Sequence, residues 1–244
     1  MQTNFFSRLL LATAITLTLA SSARATLYSY TNVINEVIPD GNPTGYQSEI
    51  TTSGLTGNGG TSIGSVSVQL NFDHLTSDGF IGDLYGYLVF VSADGSTTQS
   101  ILLNRVGRTD ASGFGYESTA TSITLTGDLG GGYTDIHGVS TWTSGATYLA
   151  DGRTVSPDAN FSGSTSTAGL DILNGHNANG TWTLFLADFT EGNGTSTLTS
   201  WGLTIDVVPE PTTWALAAFG TIAGVMLVAR RRAAMPKMVA PAKK

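Results

Sequence analysis

Carboxylates carry most of the chemical potential of this chain, because nucleophiles with a partner at useful spacing are scarce. There is no cysteine, which excludes thiol catalysis, Cys-based zinc sites and iron–sulfur clusters. The three histidines, His74, His137 and His176, form no H-E-x-x-H pattern, and none has a second histidine at ligand spacing. Gly60-Thr61-Ser62-Ile63-Gly64 spells G-x-S-x-G. A nucleophile elbow needs a strand before that motif and a helix after it, whereas here a Gly-rich loop precedes and a strand pattern follows. No spacing selects a Ser-His-Asp triad, and a carboxylate pair for glycoside hydrolysis would have to be drawn from distant parts of the chain. The expectation is a protein that is not an enzyme.

Asp83 and Asp188 stand out among the acids. Each sits beside an apolar strand pattern, where a carboxylate is costly unless paired or hydrogen-bonded. The first reading of both is structural, as caps on backbone N–H groups. A sharper reading groups the loop acids Asp73, Asp78 and Asp83 as oxygen ligands for Ca²⁺, the one cofactor these residues suggest. His74 reads as a packed, hydrogen-bonded residue. Trp182 and Trp201 read as core residues on inward strand faces. A carbohydrate platform would need exposed rings, for which Tyr85, Tyr87, Tyr133, Trp142 and Tyr148 are the weaker candidates.

The elements that would position these groups are strands. Val66, Val68, Leu70 and Phe72 alternate with polar residues, the period of a half-buried strand. Leu84 to Val91 is apolar at both phases and reads as a central strand covered on both sides. Asp94-Gly95 marks a turn, and Ile101 to Val106 then pairs back. Trp182, Leu184 and Leu186 alternate in a late strand, and Trp201, Leu203, Ile205 and Val207 in the last. Between Thr109 and Asn177 the chain is Gly-rich, with short strands expected near Ser122 to Thr126 and at Tyr148. Many short strands joined by turns indicate an all-β fold, a sandwich or jelly roll.

Both ends carry targeting patterns. Arg8 supplies a positive n-region, Leu9 to Ala20 an apolar h-region, and Ala23-Arg24-Ala25 an A-x-A cleavage site, so residues 1–25 read as a signal peptide with a signal helix and the mature chain starts at Thr26. At the other end Pro209-Glu210-Pro211 is followed by an apolar run from Trp214 to Ala229 and then by Arg230, Arg231 and Arg232. In a transmembrane helix over residues 213–229 the sixteen residues from Trp214 to Ala229 would cover about 24 Å, short of the roughly 30 Å hydrocarbon core but able to span with bilayer thinning. The arginines favour the cytoplasmic side, which makes residues 233–244 a basic cytoplasmic tail. This tail resembles the PEP-CTERM sorting signal of Gram-negative bacteria, with Pro209, Glu210 and Pro211 at its motif positions. The resemblance implies recognition by an exosortase, cleavage near the motif, and delivery to the cell surface or into exopolysaccharide. Without processing, the protein would stay anchored in the inner membrane facing the periplasm. Ala233 to Lys244 extend beyond the point where members of that family usually stop.

Thr26 to Val208 remain as one domain. It holds 17 Asp and Glu against three arginines, Arg105, Arg108 and Arg153, for a charge of −14, while the basic tail brings the whole chain to −7. A surface so acidic repels nucleic acid and anionic lipid, and suits divalent cations or a polysaccharide matrix.

Two blocks within this domain go beyond pattern. One runs from Val66 through His74, then Gly82-Asp83-Leu84 and Leu88 to Ser96. The other runs from Gly180-Thr181-Trp182-Thr183-Leu184 through Asp188 to Leu198, Trp201, Leu203 and Ile205. They resemble the P domain, or Homo B domain, that follows the catalytic domain of kexin- and furin-like proteases. Ile38-Pro39-Asp40 fits that family's opening, and Asp151 to Arg153 through Phe161 to Gly163 its middle. The resemblance covers roughly Val33 to Asp206 and implies a galactose-binding-like jelly roll that assists a neighbour and has no catalysis of its own. The expected function is therefore a non-catalytic surface or matrix protein. The alternatives are an accessory to a subtilisin-like protease and a carbohydrate-binding module.

Overall fold

The computed structural model describes residues 25–57, 59–73, 80–109, 113–159, 164–192, 195–209, 220–228 and 230. The strands all fall in one compact unit, Arg24–Val208. They are β1 (Thr26–Ile38), β2 (Asn42–Thr52), β3 (Ser62–Phe72), β4 (Leu84–Ser92), β5 (Thr97–Asn104), β6 (Ser122–Thr126), β7 (Ala146–Leu149), β8 (Gly180–Asp188) and β9 (Ser196–Val208). One sheet has the order β1-β9-β3-β6-β7 and the other β2-β8-β4-β5. The pairs are antiparallel except β6–β7, which is parallel.

The two sheets pack face to face as a sandwich, because the inward phase of each strand is apolar. Val66, Val68 and Leu70 of β3 and Leu203 and Ile205 of β9 meet Leu88 and Phe90 of β4 and Trp182 and Leu184 of β8 in one buried cluster. The alternation is not unbroken. Between Asn71 and Phe72 the β3–β9 register shifts, so that Leu198 and Trp201, an odd number of residues apart, are both buried. The same irregularity crosses to β1, where the register shifts between Val33 and Glu36 and Asn35 adopts φ 55°.

Two indole N–H groups lie inside this core and both are satisfied. Trp182 Nε1 donates to Thr52 Oγ1 at 3.1 Å and Trp201 Nε1 to Ser48 Oγ at 2.8 Å. Trp182 also stacks on Phe90, with centroids 3.8 Å apart. Each tryptophan thus joins two apolar faces while its polar edge is closed by a hydroxyl on β2.

Several expectations change. β4 is interior to its sheet but is not covered by a layer on both sides: it alternates, and Val91 is exposed. Its outer face carries Tyr85 and Tyr87, which with Phe185 and Phe189 form a ring cluster whose closest pair, Tyr87 and Phe185, stacks at 4.6 Å. The half-exposed Tyr85, Tyr87 and Phe189 cover Phe185, which is buried, and this mutual shielding explains why an outward phase of a sheet can be so apolar. Strands β1 and β2 were not foreseen. The signal helix and Ala23 lie outside the described residues, and Ala25 immediately precedes β1. In the expected transmembrane segment, residues 220–228 are helical, while 213–219 and 229 lie outside the description. Among the described residues no helix is long and apolar enough to cross a membrane, so that expectation is not met by the helix seen.

Candidate functional site

Asp83 and Asp188 come together at one end of the second sheet. Asp188 closes β8, opposite Leu84, and the backbone oxygen of Asp83 accepts from Phe189 N at 2.9 Å. Both side chains are buried. Asp188 Oδ1 accepts from Thr190 N at 3.0 Å, which turns the chain out of β8. Burial raises the Asp188 carboxyl to about 6, and the charges of Asp83 and Asp40 add to that against the hydrogen bond from Thr190.

Arg105 is the cation of this corner. It adopts φ 52° just after β5, which turns its side chain back beneath the sheet end. Its Nε donates to Gly82 O at 2.9 Å and its Nη2 to Thr190 Oγ1 at 2.5 Å, while Nη2 lies 3.7 Å from Asp83 Oδ1. That Asp83 oxygen takes no hydrogen bond. Burial pushes the Asp83 carboxyl up and the Arg105 guanidinium down despite their mutual attraction. An ion pair at this separation repays little of the cost of drying both groups, so its value lies in fixing the corner.

The calcium grouping is not assembled among the described residues. Asp73 is exposed at the end of β3, with its N–H on Thr197 O at 3.0 Å, whereas Asp83 is buried against Arg105. Asp78 and His74 lie outside the described residues. Among the described residues no three His, Asp or Glu side chains form a group that could hold a metal ion.

A second charged centre escaped sequence reasoning. Asp151, with no exposed surface, accepts from His137 Nδ1 at 2.8 Å and from Asn104 N at 3.2 Å through Oδ2, and from Arg153 Nη1 at 3.1 Å through Oδ1. Arg153 Nη2 donates to Asp135 Oδ2 at 2.7 Å and its Nε to Ser164 O at 3.3 Å. Asp135 Oδ1 also caps the short turn Ile136–Gly138 by accepting from His137 N at 2.9 Å. Burial alone would lower the Arg153 pKa, but its hydrogen bonds to Asp135 and the charge of Asp151 outweigh it and raise the value. The sequence carries no spacing signal for it, since its residues are drawn from separate turns.

Through Asp135 this network reaches the wall of a cleft of about 370 Å³ beside β6 and β7. Asp135, Asp171, Ser166, Thr167, Leu129 and Leu149 are among its lining residues. Glycines let its walls approach. A Cβ on Gly127 would stand 2.4 Å from Asp171 N, and one on Gly152 (φ +66°) 2.1 Å from Ser166 Oγ.

The remaining predicted site residues follow β9 directly. That strand ends at Val208, so Pro209 is the next residue after the sheet. Glu210, Pro211, Arg231 and Arg232 lie outside the described residues, and Arg230 falls in a helical stretch. Residues 207–232 match the family described as the PEP-CTERM protein-sorting motif. The chain carries a PEP-CTERM sorting motif. The motif supports sorting by an exosortase system and export to the cell envelope or surface. The PEP-CTERM match begins inside β9, at Val207, so the signal and the sandwich share two residues and no linker separates them. The chain matches no curated protein.

Proposed function

We propose that this is an exported, non-catalytic surface protein whose sandwich works within the extracellular polysaccharide matrix after an exosortase-type enzyme processes its tail. One observation supports this above the others. The PEP-CTERM motif starts on the last strand of a folded, acidic domain, so a cut near Pro209 to Pro211 would release that domain whole. In this reading Trp214 to Ala229 serve as the membrane segment and Arg230 to Arg232 as its cytoplasmic stop. Intact mass and terminal sequencing of the protein from fractionated cells and medium test it. A chain from Thr26 to near Pro211, on the outer surface or outside the cell, is expected. A chain that keeps Trp214 to Lys244 in the inner membrane would overturn it.

A second reading treats the domain as a P-domain-like accessory to a subtilisin-like protease. The strand pairing favours it: β1 with β9, β2 with β8, β3 with β6, and β4 with β5. These pairings support reading the two sheets, with β7 set aside at an edge, as a rolled antiparallel ribbon of the jelly-roll kind. The test is addition of the protein in trans to a subtilisin-like enzyme lacking such a domain, where the accessory reading requires a rise in the enzyme's melting temperature.

A further inference from the structure

We propose that the cleft beside β6 and β7 binds a neutral sugar unit of a polysaccharide chain, an inference that rests on the matrix role proposed above. Its volume of about 370 Å³ falls in the range of pockets that take small organic ligands, with room for one or two pyranose rings. The lining combines the exposed Leu129 and the half-buried Leu149 with the hydroxyls of Ser166 and Thr167 and the carboxylates of Asp135 and Asp171. A pyranose offers the complement: C–H faces that pack on leucine, and adjacent hydroxyls that donate to carboxylate oxygens.

The charges select the ligand further. Among the described residues no Lys, Arg or His lines the cleft. The nearby Arg153 is committed to Asp135, Asp151 and Ser164 O. A uronate, sulfate or phosphate would therefore meet the Asp171 carboxylate without a cation on the lining to receive it, since the charge of Arg153 is already taken by Asp135 and Asp151. A metal ion is poorly served as well, because both Asp135 oxygens already accept hydrogen bonds from Arg153 and the His137 N–H. An uncharged ligand rich in hydroxyl donors fits what remains. The Asp171 carboxylate, which takes none of the network's hydrogen bonds, is the acceptor it would meet.

The wall is set before any ligand arrives. Asp151, fully buried, holds Arg153, and Arg153 holds Asp135 with two nitrogens. The cleft thus has one rigid side and one side formed by the chain from Ser166 to Asp171. Preorganisation of this kind lowers the ordering cost of binding.

The test is co-sedimentation of the full chain, kept in a sugar-free zwitterionic detergent, with polysaccharide isolated from the producing cells. Cellotetraose, mannotetraose and an oligogalacturonate serve as soluble competitors. Asp171→Asn and Leu129→Ala are compared with the wild type, since both positions are accessible and neither belongs to the buried network. Binding that a neutral tetraose competes away and that each variant weakens at least tenfold is expected. Wild-type binding matched by both variants, or competed only by the oligogalacturonate, overturns the cleft and leaves the matrix role standing. No binding by the wild type overturns both.

Discussion

His137 Nδ1 lies 2.8 Å from Oδ2 of Asp151, a carboxylate with no exposed surface. The contact ties the short turn at Ile136–Gly138 to the chain leaving β7, and the same carboxylate holds Arg153 and the backbone of Asn104. A segment with little regular structure is thereby pinned to β5 by a single side chain.

Asp151→Asn should therefore be among the most damaging substitutions in the domain. It leaves Arg153 only Asp135 as a charged partner and costs the buried acceptor that serves His137 and Asn104 N, for which a loss of about 1–3 kcal/mol is expected. Urea unfolding followed by tryptophan fluorescence reads it. A loss below about 1 kcal/mol would mean that the network is dispensable.

Asp188 makes stability depend on pH in a stated direction. Its carboxyl is raised to about 6 in the folded chain from an ordinary 3.8. Stability from this group is therefore fully present below pH 3.8 and is lost as pH rises through 6. Asp188→Asn keeps an oxygen for Thr190 N but carries no charge. Relative to wild type it should gain on the order of 2–3 kcal/mol between pH 4 and pH 7. Denaturation midpoints of both proteins across that range check the slope. Parallel curves would show that Asp188 is not perturbed.

Thr52 Oγ1 accepts from Trp182 Nε1 at 3.1 Å and donates to Ala178 O at 2.7 Å. Thr52→Val keeps the shape and strands a buried indole N–H and a carbonyl. A loss of about 1–3 kcal/mol is expected in equilibrium unfolding, with little change in the circular dichroism of the folded state.

Gly127→Ala tests how tightly the cleft wall is packed. The added Cβ would meet the backbone of Asp171 and Leu170 at 2.4 to 2.6 Å, so the turn at Leu170–Leu173 must shift. A cost of about 1–3 kcal/mol follows from overpacking. Amide hydrogen exchange should quicken at Ile172 to Asn174 ahead of β3 and β9.

Much of the sandwich was legible because the alternating apolar residues of β3, Trp182, Leu184 and Leu186 of β8, and Trp201, Leu203, Ile205 and Val207 of β9 are all buried, and Ser122–Thr126 and Tyr148 fall in β6 and β7. β1 and β2 escaped because both are edge strands. β1 places Leu27 and Val33 in solvent while its inward Tyr28 and Tyr30 are only half-buried, so its two phases look alike. The Asp83–Asp188 corner was half visible, since an acid next to an apolar run announces that it needs partners. Its cation, Arg105, was not, because a left-handed turn after β5 brings it there. The Asp135–Asp151–Arg153 network left no periodic trace at all, since its residues project from turns rather than from one face of a strand.

The register of β1 on β9 sets a rule of timing. Thr26 stands opposite Val207, so the strand that leaves the secretion machinery first has its partner in the strand that leaves last. Only nonlocal contacts close the sheet, and such topologies fold slowly. A translocating chain must therefore hold β1 as an unpaired edge until β9 emerges, immediately ahead of the sorting signal. If the tail is held at the membrane, as proposed above, the chain would be tethered through the one strand that it needs to finish folding. Cleavage that waited for the sandwich to close would release only completed domains, and a cut made earlier would shed an aggregation-prone chain.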